Sequence, residues 1–320
     1  MSVSTLPVLP NKDKPAVMHL AWLDTVRAAA SLYVVFHHAV MQIIIQGDHA
    51  NDKFYRVIQL ATSFGHYAVD IFIVLSGYCL MLPLVNKSKF GNTYTFYLRR
   101  TIRIVIPYYA AIVYSLILIY FFLGDKNGSH WASVCLPVTT EGILRHVFLI
   151  YQWWEDSAFT INSTFWSVGV EYQIYFLFPI FFYCGKEFGF GKTFIVVTTL
   201  SYLLLAISMS YGWPNPSAHG ASFYYCALFF IGMTAAQYST YQNTPLPKWL
   251  SVIKHHHSLF KYIVLVLLCA IAIGGFLYSE QFSLQVQSLF VGLCIGVLFY
   301  LKDSGHWVNS QLKINAWRGG

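Results

Sequence analysis

Eight stretches of mostly apolar residues, each about 20 residues long, limit the possible fold more than any other feature of this sequence. They lie near 22–45, 64–85, 104–123, 163–183, 193–211, 221–240, 260–278 and 284–301. Charged residues make up only 10% of the chain, against roughly 25% in a soluble domain. The pattern predicts an all-α fold, a polytopic transmembrane helical bundle of about eight spans. It excludes a disordered chain, a basic nucleic-acid-binding domain and most soluble enzymes.

The basic residues are unevenly distributed between the loops. If the N-terminus is cytoplasmic, the inside segments hold 15 Lys and Arg residues and the outside segments hold four, with Arg27 left in the first span. Cytoplasmic loops of membrane proteins carry such an excess. We therefore expect a cytoplasmic N-terminal segment over 1–20, a transmembrane domain over 21–302 and a cytoplasmic tail over 303–320.

The first span carries ionisable residues, which are costly in lipid. Arg27 and His38 are eleven residues apart, so they share a helix face to within about 20°, with His38 roughly 16 Å further along the axis. Asp24 can pair with Arg27 across one turn. His37 points about 80° away, and a core histidine bonded to a neighbouring helix is a strong alternative for it.

This stripe of the first span favours acyl transfer. An arginine near the cytoplasmic interface can hold the phosphates of an acyl donor. A histidine near the midplane can take the proton of an acceptor hydroxyl as that hydroxyl attacks the thioester carbonyl. Imidazole suits this role because its unperturbed pKa is about 6.5. We therefore predict that His38 is the general base.

Two further acids lie in apolar spans. Glu171 is four residues after Ser167, so the two share a face, and a buried Glu beside a His can orient the imidazole. Ser167 is a possible nucleophile, but it lacks the strand-to-helix turn that exposes one, and we expect it to be a positioning residue. Asp70 is the other candidate to support the base. Ser76 and Gly77 are small and are expected to permit close helix packing.

A basic run, Arg99-Arg100-Thr101-Ile102-Arg103, precedes the third span. Two interpretations stay open. The run follows the excess of positive charge in cytoplasmic loops, or it clamps the phosphates of coenzyme A, because guanidinium forks suit phosphate oxygens. The sequence contains no CxxC pair, and no metal site is predicted.

Four motifs occur in a characteristic order: Leu23-Asp24-Thr25-Val26-Arg27 with His38 beyond it, then the segments 69–78, 99–103 and 165–179. In this order the sequence resembles the acyltransferase 3 family. These integral membrane enzymes acylate, most often acetylate, hydroxyl groups of cell-envelope and secreted carbohydrates. The resemblance covers residues 22 to about 180, and beyond them only the hydrophobic pattern matches.

The resemblance implies acetyl-CoA as a donor that enters from the cytoplasm and a sugar hydroxyl as the acceptor. It places the family's Arg-x10-His, Arg-x-x-Arg and Ser-x-x-x-Glu elements on Arg27 and His38, Arg100 and Arg103, and Ser167 and Glu171. Members usually have about ten spans, so this chain is expected to be a short member or one that has lost its C-terminus.

The expected function is therefore transfer of an acetyl or similar small acyl group to a carbohydrate or lipid-linked glycan in the inner membrane of a bacterium. The expected partners are an acyl-CoA donor, that acceptor and the membrane lipids. Two alternatives stay open. The first is a proton-coupled transporter of a polysaccharide precursor, because intramembrane acids and histidines also serve proton relays. The second is an inactive truncated paralogue.

Overall fold

The computed structural model describes residues 21–46, 53–123, 130–212, 223–240, 257–277 and 284–318. Within these ranges the chain forms helices and no β-strand. The α-helices are α1 (Ala21–Gln46), α2 (Lys53–Thr62), α3 (Gly65–Met81), α4 (Thr93–Leu118), α5 (His130–Cys135), α6 (Thr140–Val147), α7 (Trp166–Phe188), α8 (Phe190–Tyr211), α9 (Tyr225–Thr240), α10 (His257–Leu277) and α11 (Leu284–Arg318). The all-α prediction is confirmed for this part of the chain.

In the part of the chain that the structure describes, five helical segments are long and apolar enough to cross a membrane: Lys53–Leu84, Thr93–Phe122, Ser163–Phe188, Phe190–Tyr211 and Leu284–Lys302. The three other predicted spans fall on α1, α9 and α10, which are not among these five, so the number of eight is not confirmed. For α9 the reason is length. Its 16 described residues reach about 24 Å, less than the hydrocarbon core of about 30 Å. The predicted tail from residue 303 continues α11 as helix to Arg318.

The centre of the bundle is the contact between α3 and α9. A Cβ atom on Gly77 would lie 2.0 Å from the Phe229 carbonyl oxygen, and one on Gly232 would lie 1.9 Å from that of Val74. The two backbones therefore touch where each helix has a glycine, as in other membrane helix pairs. The predicted role of Gly77 in close packing is confirmed. Helix α9 is covered further by α8 and α11.

The outer faces of α4, α8 and α10 are apolar and exposed. Ile106, Val113, Ile195 and Val266 each leave more than half of their surface uncovered. Exposed apolar side chains in such numbers are typical of a surface that faces lipid tails.

A compact unit over 130–165 covers one end of α4 and α7. At its centre, His146 is fully buried, with its ring stacked 3.9 Å from that of Tyr151. Tyr108 hydroxyl and Thr160 Oγ1 lie 2.9 and 3.3 Å from the two ring nitrogens of His146. Burial lowers the pKa of His146 to about 4, so the imidazole is neutral and structural.

Candidate active site

Arg27 connects the first turns of α1 to the last turns of α3. Its guanidinium donates to Asp24 Oδ1 at 3.2 Å, which is the pair predicted across one turn. It also donates to Cys79 Sγ on α3 at 3.7 Å. The cationic end of α1 is thus anchored at the end of α3 that carries Ser76 and Cys79.

Glu171 on α7 accepts hydrogen bonds from hydroxyl groups of two helices. Ser76 Oγ donates to Glu171 Oε1 at 2.7 Å, and the Tyr175 hydroxyl donates to the same oxygen. Tyr175 also lies 3.3 Å from Ser76 Oγ. A carboxylate bound by two hydroxyls is held in one orientation, because charge-assisted hydrogen bonds are the stronger kind. Close helix packing was the expected use of Ser76, and its hydrogen bond to Glu171 gives this serine a further role.

Arg100 on α4 completes this group of side chains. Its Cζ atom lies 5.6 Å from the centre of the Tyr175 ring, and it interacts electrostatically with Glu171 and with Cys79. Cys79 therefore interacts with two arginines from different helices, Arg27 and Arg100. Four helices bring together a set of side chains that we call the arginine–glutamate cluster: Arg27, Ser76, Cys79, Arg100, Glu171 and Tyr175.

A cavity of about 440 Å³ opens beside this cluster along the first turns of α4. We call it the arginine cavity, and its lining is Asn92, Thr95, Phe96, Arg99, Arg100 and Arg103. The predicted pair Arg100 and Arg103 thus lines a single cavity, and Arg100 also belongs to the cluster. Three guanidinium groups around one cavity are chemically suited to bind phosphate oxygens.

His38 lies at the other end of α1 from Arg27. By helix geometry the two are separated by roughly 16 Å along the axis. The ring of His38 packs edge-on against that of His37, with 5.0 Å between centroids. His37 Nδ1 lies 2.5 Å from the Thr62 carbonyl oxygen, so it carries the hydrogen and donates. Glu171, which was expected to support His38, lies instead beside Ser76, near the end of α3 that Arg27 contacts.

Asp70 is fully buried and faces a histidine that the sequence reasoning did not single out. Its Oδ1 atom lies 3.8 Å from His66 Nε2, one turn earlier on α3. Ser288 Oγ lies 3.1 Å from the same nitrogen, and the hydroxyls of Tyr225 and Tyr224 lie at 3.3 and 3.4 Å. These side chains come from three regions, α3, α11 and the start of α9. Burying ionisable side chains among apolar helices is costly, so this pair is a candidate for a function.

Ser167 is half-buried in the first turn of α7, where its hydroxyl donates to the Thr164 carbonyl oxygen at 3.5 Å. Such a bond to the preceding turn is common for serine near a helix start. Among the described residues, no group of three or more His, Cys, Asp and Glu side chains is arranged to hold a metal ion.

Sequence reasoning missed Cys79, Tyr175 and His66. For His66 a signal was present, because it stands four residues before Asp70 and therefore on the same helix face. Cys79 lies in an apolar run, four residues before Pro83, and belongs to no sequence motif that would mark it as functional. Only its contact with Arg27 on another helix identifies it.

The helices and their apolar surfaces define a multi-pass membrane protein with a cationic site at one end of α1, α3, α4 and α7. Residues 20–304 match the sequence profile of Acyl_transf_3, described as an acyltransferase domain. The chain belongs to this family, so the resemblance drawn from the four motifs is confirmed, and it extends over nearly the whole chain. No curated protein and no solved structure shows a significant match to the chain.

Proposed function

We propose that the protein is a membrane O-acyltransferase. In this proposal it moves an acetyl or similar small acyl group from acetyl-CoA to a carbohydrate hydroxyl of a cell-envelope or exported polysaccharide, in the bacterial inner membrane. The observation that carries the proposal is the arginine cavity, which opens beside the arginine–glutamate cluster in a chain of an acyltransferase family.

The donor binds through its phosphates. Arg100 and Arg103 line the cavity, and Arg27 reaches the neighbouring Cys79 from α1. Guanidinium groups bind phosphate oxygens through paired hydrogen bonds and keep their charge inside a protein. In this proposal the extended arm that joins the phosphates of coenzyme A to its thioester spans the roughly 16 Å between Arg27 and His38.

His38 acts as the general base of the transfer. It takes the proton from the acceptor hydroxyl while the hydroxyl oxygen forms a bond to the thioester carbonyl carbon. The carbon–sulfur bond then breaks, and the coenzyme A thiolate leaves and takes up the proton that His38 received from the acceptor hydroxyl. Glu171 supports the donor end of the site through Ser76 and Tyr175, whose hydroxyls it orients. Asp70 supports the other end beside His66.

The test uses membranes that contain the protein and acetyl-CoA labelled in the acetyl group. We expect label to enter an envelope glycan, and we expect His38→Gln to remove at least about 99% of this transfer, in keeping with the usual 10²–10⁴-fold contribution of a general base. The neighbouring His37→Gln is the matched control and should retain transfer. If His38→Gln inserts normally and transfers at the wild-type rate, His38 is not the base.

A proton-coupled transporter of a polysaccharide precursor is the second candidate, and the buried His66–Asp70 pair favours it. The same membranes separate the two functions. Acceptor-dependent label from acetyl-CoA supports the acyltransferase. Flux that follows a proton gradient, without label, supports the transporter. Normal insertion with neither label nor coenzyme A binding would identify an inactive paralogue.

A further inference from the structure

A second cavity, of about 650 Å³, opens between the segment that follows α3 and the last turns of α7. We call it the lysine cavity, because Lys87 and Lys186 contribute to its lining from opposite sides. Ser88, Tyr183 and Glu187 line it as well. It is larger than the arginine cavity and lies at the same end of the bundle, where α3 and α7 end and α4 begins.

The ammonium group of Lys186 is held in place. It donates to the Val85 carbonyl oxygen at 2.7 Å and to Gln237 Oε1 at 3.1 Å. It also lies 5.6 and 5.9 Å from the ring centres of Phe182 and Phe190. A cation fixed by four neighbours loses little freedom when an anion binds, so the site is preorganised.

The two cavities flank one aromatic core. Phe90 is buried, with its ring 5.1 Å from that of Phe96 and 5.6 Å from that of Phe182. Arg100 lies over Phe96 at 5.8 Å, and Lys186 lies over Phe182 at 5.6 Å. Arg100 of one cavity and Lys186 of the other are therefore connected through three aromatic rings, by two cation–ring contacts and two ring–ring contacts.

A ligand that occupies both cavities would carry two separate phosphate groups, one for each set of cations. Coenzyme A has this character, with a pyrophosphate on the 5′ oxygen of its ribose and a single phosphate on the 3′ oxygen. We propose that the lysine cavity binds the 3′-phosphate and the adenine of the acyl-CoA donor, while the arginine cavity holds the pyrophosphate. This inference rests on the proposed function.

The other residues that line the lysine cavity suit the adenine of coenzyme A. Tyr183 is half exposed and offers a ring face for adenine, since every base stacks on aromatic side chains. Glu187 places an acceptor in the same cavity for the exocyclic amine of adenine, which donates hydrogen bonds. The 3′-phosphate then lies toward Lys87 and Lys186 and away from the Glu187 carboxylate.

The test compares acetyl-CoA with acetyl-3′-dephospho-CoA as donors. We expect the wild-type KM to be about tenfold lower for acetyl-CoA, the effect of one charge-assisted contact. Lys87→Ala should raise the KM for acetyl-CoA by part of this factor, because Lys186 still faces the 3′-phosphate, and should leave kcat and the KM for the dephospho donor unchanged. Lys87 is exposed, so its substitution should not disturb folding. Lys89→Ala is the matched control, because Lys89 lies two residues away and outside the cavity lining.

A binding measurement separates this inference from the proposed function. Purified protein should bind adenosine 3′,5′-bisphosphate more tightly than adenosine 5′-monophosphate, and Lys87→Ala should reduce this difference whether or not acyl transfer is detected. Equal binding of the two nucleotides by the wild type would overturn the inference. An equal loss for both donors in Lys87→Ala would overturn it too, because that result indicates general electrostatic attraction. Absence of transfer with the nucleotide preference intact would count against the acyltransferase function alone.

Discussion

Replacing Gly77 with alanine tests the contact on which the candidate site is built. A Cβ atom at this position would lie 2.0 Å from the Phe229 carbonyl oxygen and 2.9 Å from its carbon. The obstacle is backbone, which no side-chain rotation can relieve. To restore an ordinary contact of 3.4 Å, α3 and α9 must separate locally by about 1.4 Å. Helix α3 carries Ser76 and Cys79, so a displacement of α3 also moves two members of the arginine–glutamate cluster.

The expected cost has two parts. Overpacking of a core typically destabilises by about 1–3 kcal/mol, and a backbone obstacle places Gly77→Ala near the upper value. The hydrogen bond of 2.7 Å from Ser76 to Glu171 would lengthen toward 4 Å, beyond hydrogen-bond distance. Misplacement of catalytic groups by about 1 Å can reduce a rate by about 10²-fold. Acyl transfer should therefore fall more than the folded fraction does.

The assay pairs denaturant unfolding of the purified protein in detergent with labelled acetyl transfer in membranes. Gly274→Ala in α10 is the matched control, since a Cβ there has nothing within 4 Å. The control should be unchanged or more stable by up to about 1 kcal/mol, because alanine is the better helix former. If Gly77→Ala matches Gly274→Ala in both stability and transfer, the reasoning about the close contact is wrong.

Three further predictions concern other parts of the structure. Burial holds the pKa of His146 at about 4, whereas an unfolded imidazole has a pKa near 6.5, so protonation favours the unfolded chain. The free energy of unfolding should fall by up to about 3 kcal/mol as the pH drops from 6.5 to 4, and His146→Gln should remove this dependence in denaturant titrations. Arg145→Ala removes the bond of 2.6 Å to the exposed Asp156 and should lower the free energy of unfolding by about 1–2 kcal/mol. This loss should be smaller at 1 M salt, which screens exposed charges. A loss that salt leaves unchanged would contradict an ionic origin. Glu171→Gln should slow acetyl transfer by about 10–100-fold. Ser76→Ala should slow it less, because Glu171 retains the Tyr175 hydroxyl as a donor. Equal losses in the two variants would contradict this ranking.

Much of the site was predictable because charge is costly in lipid. Arg27, Arg100 and Glu171 stand out in or beside apolar runs, and the structure brings all three to one cluster. Helix periodicity predicted the pairing of Asp24 with Arg27, since both residues lie on one helix. It did not predict the partners of Glu171, because Ser76 comes from another helix.

Asp70 shows the same limit. Its position in an apolar run marked it as a functional candidate, and the expectation was support for His38. The structure places it 3.8 Å from His66, with Ser288 on α11 close to the same imidazole. Ser288 stands 222 residues after His66, a separation over which no periodic pattern extends.

The sequence by itself determined the class of protein. Runs of about 20 apolar residues favour membrane helices, because backbone polar groups in lipid must be satisfied within the segment. Spaced motifs identified the family. The tertiary structure decided how those runs pack, since α9 lies at the centre of the bundle against α3, α8 and α11. It also decided which side chains share the cluster, because contacts between helices depend on crossing points such as Gly77 and Gly232, where two backbones touch.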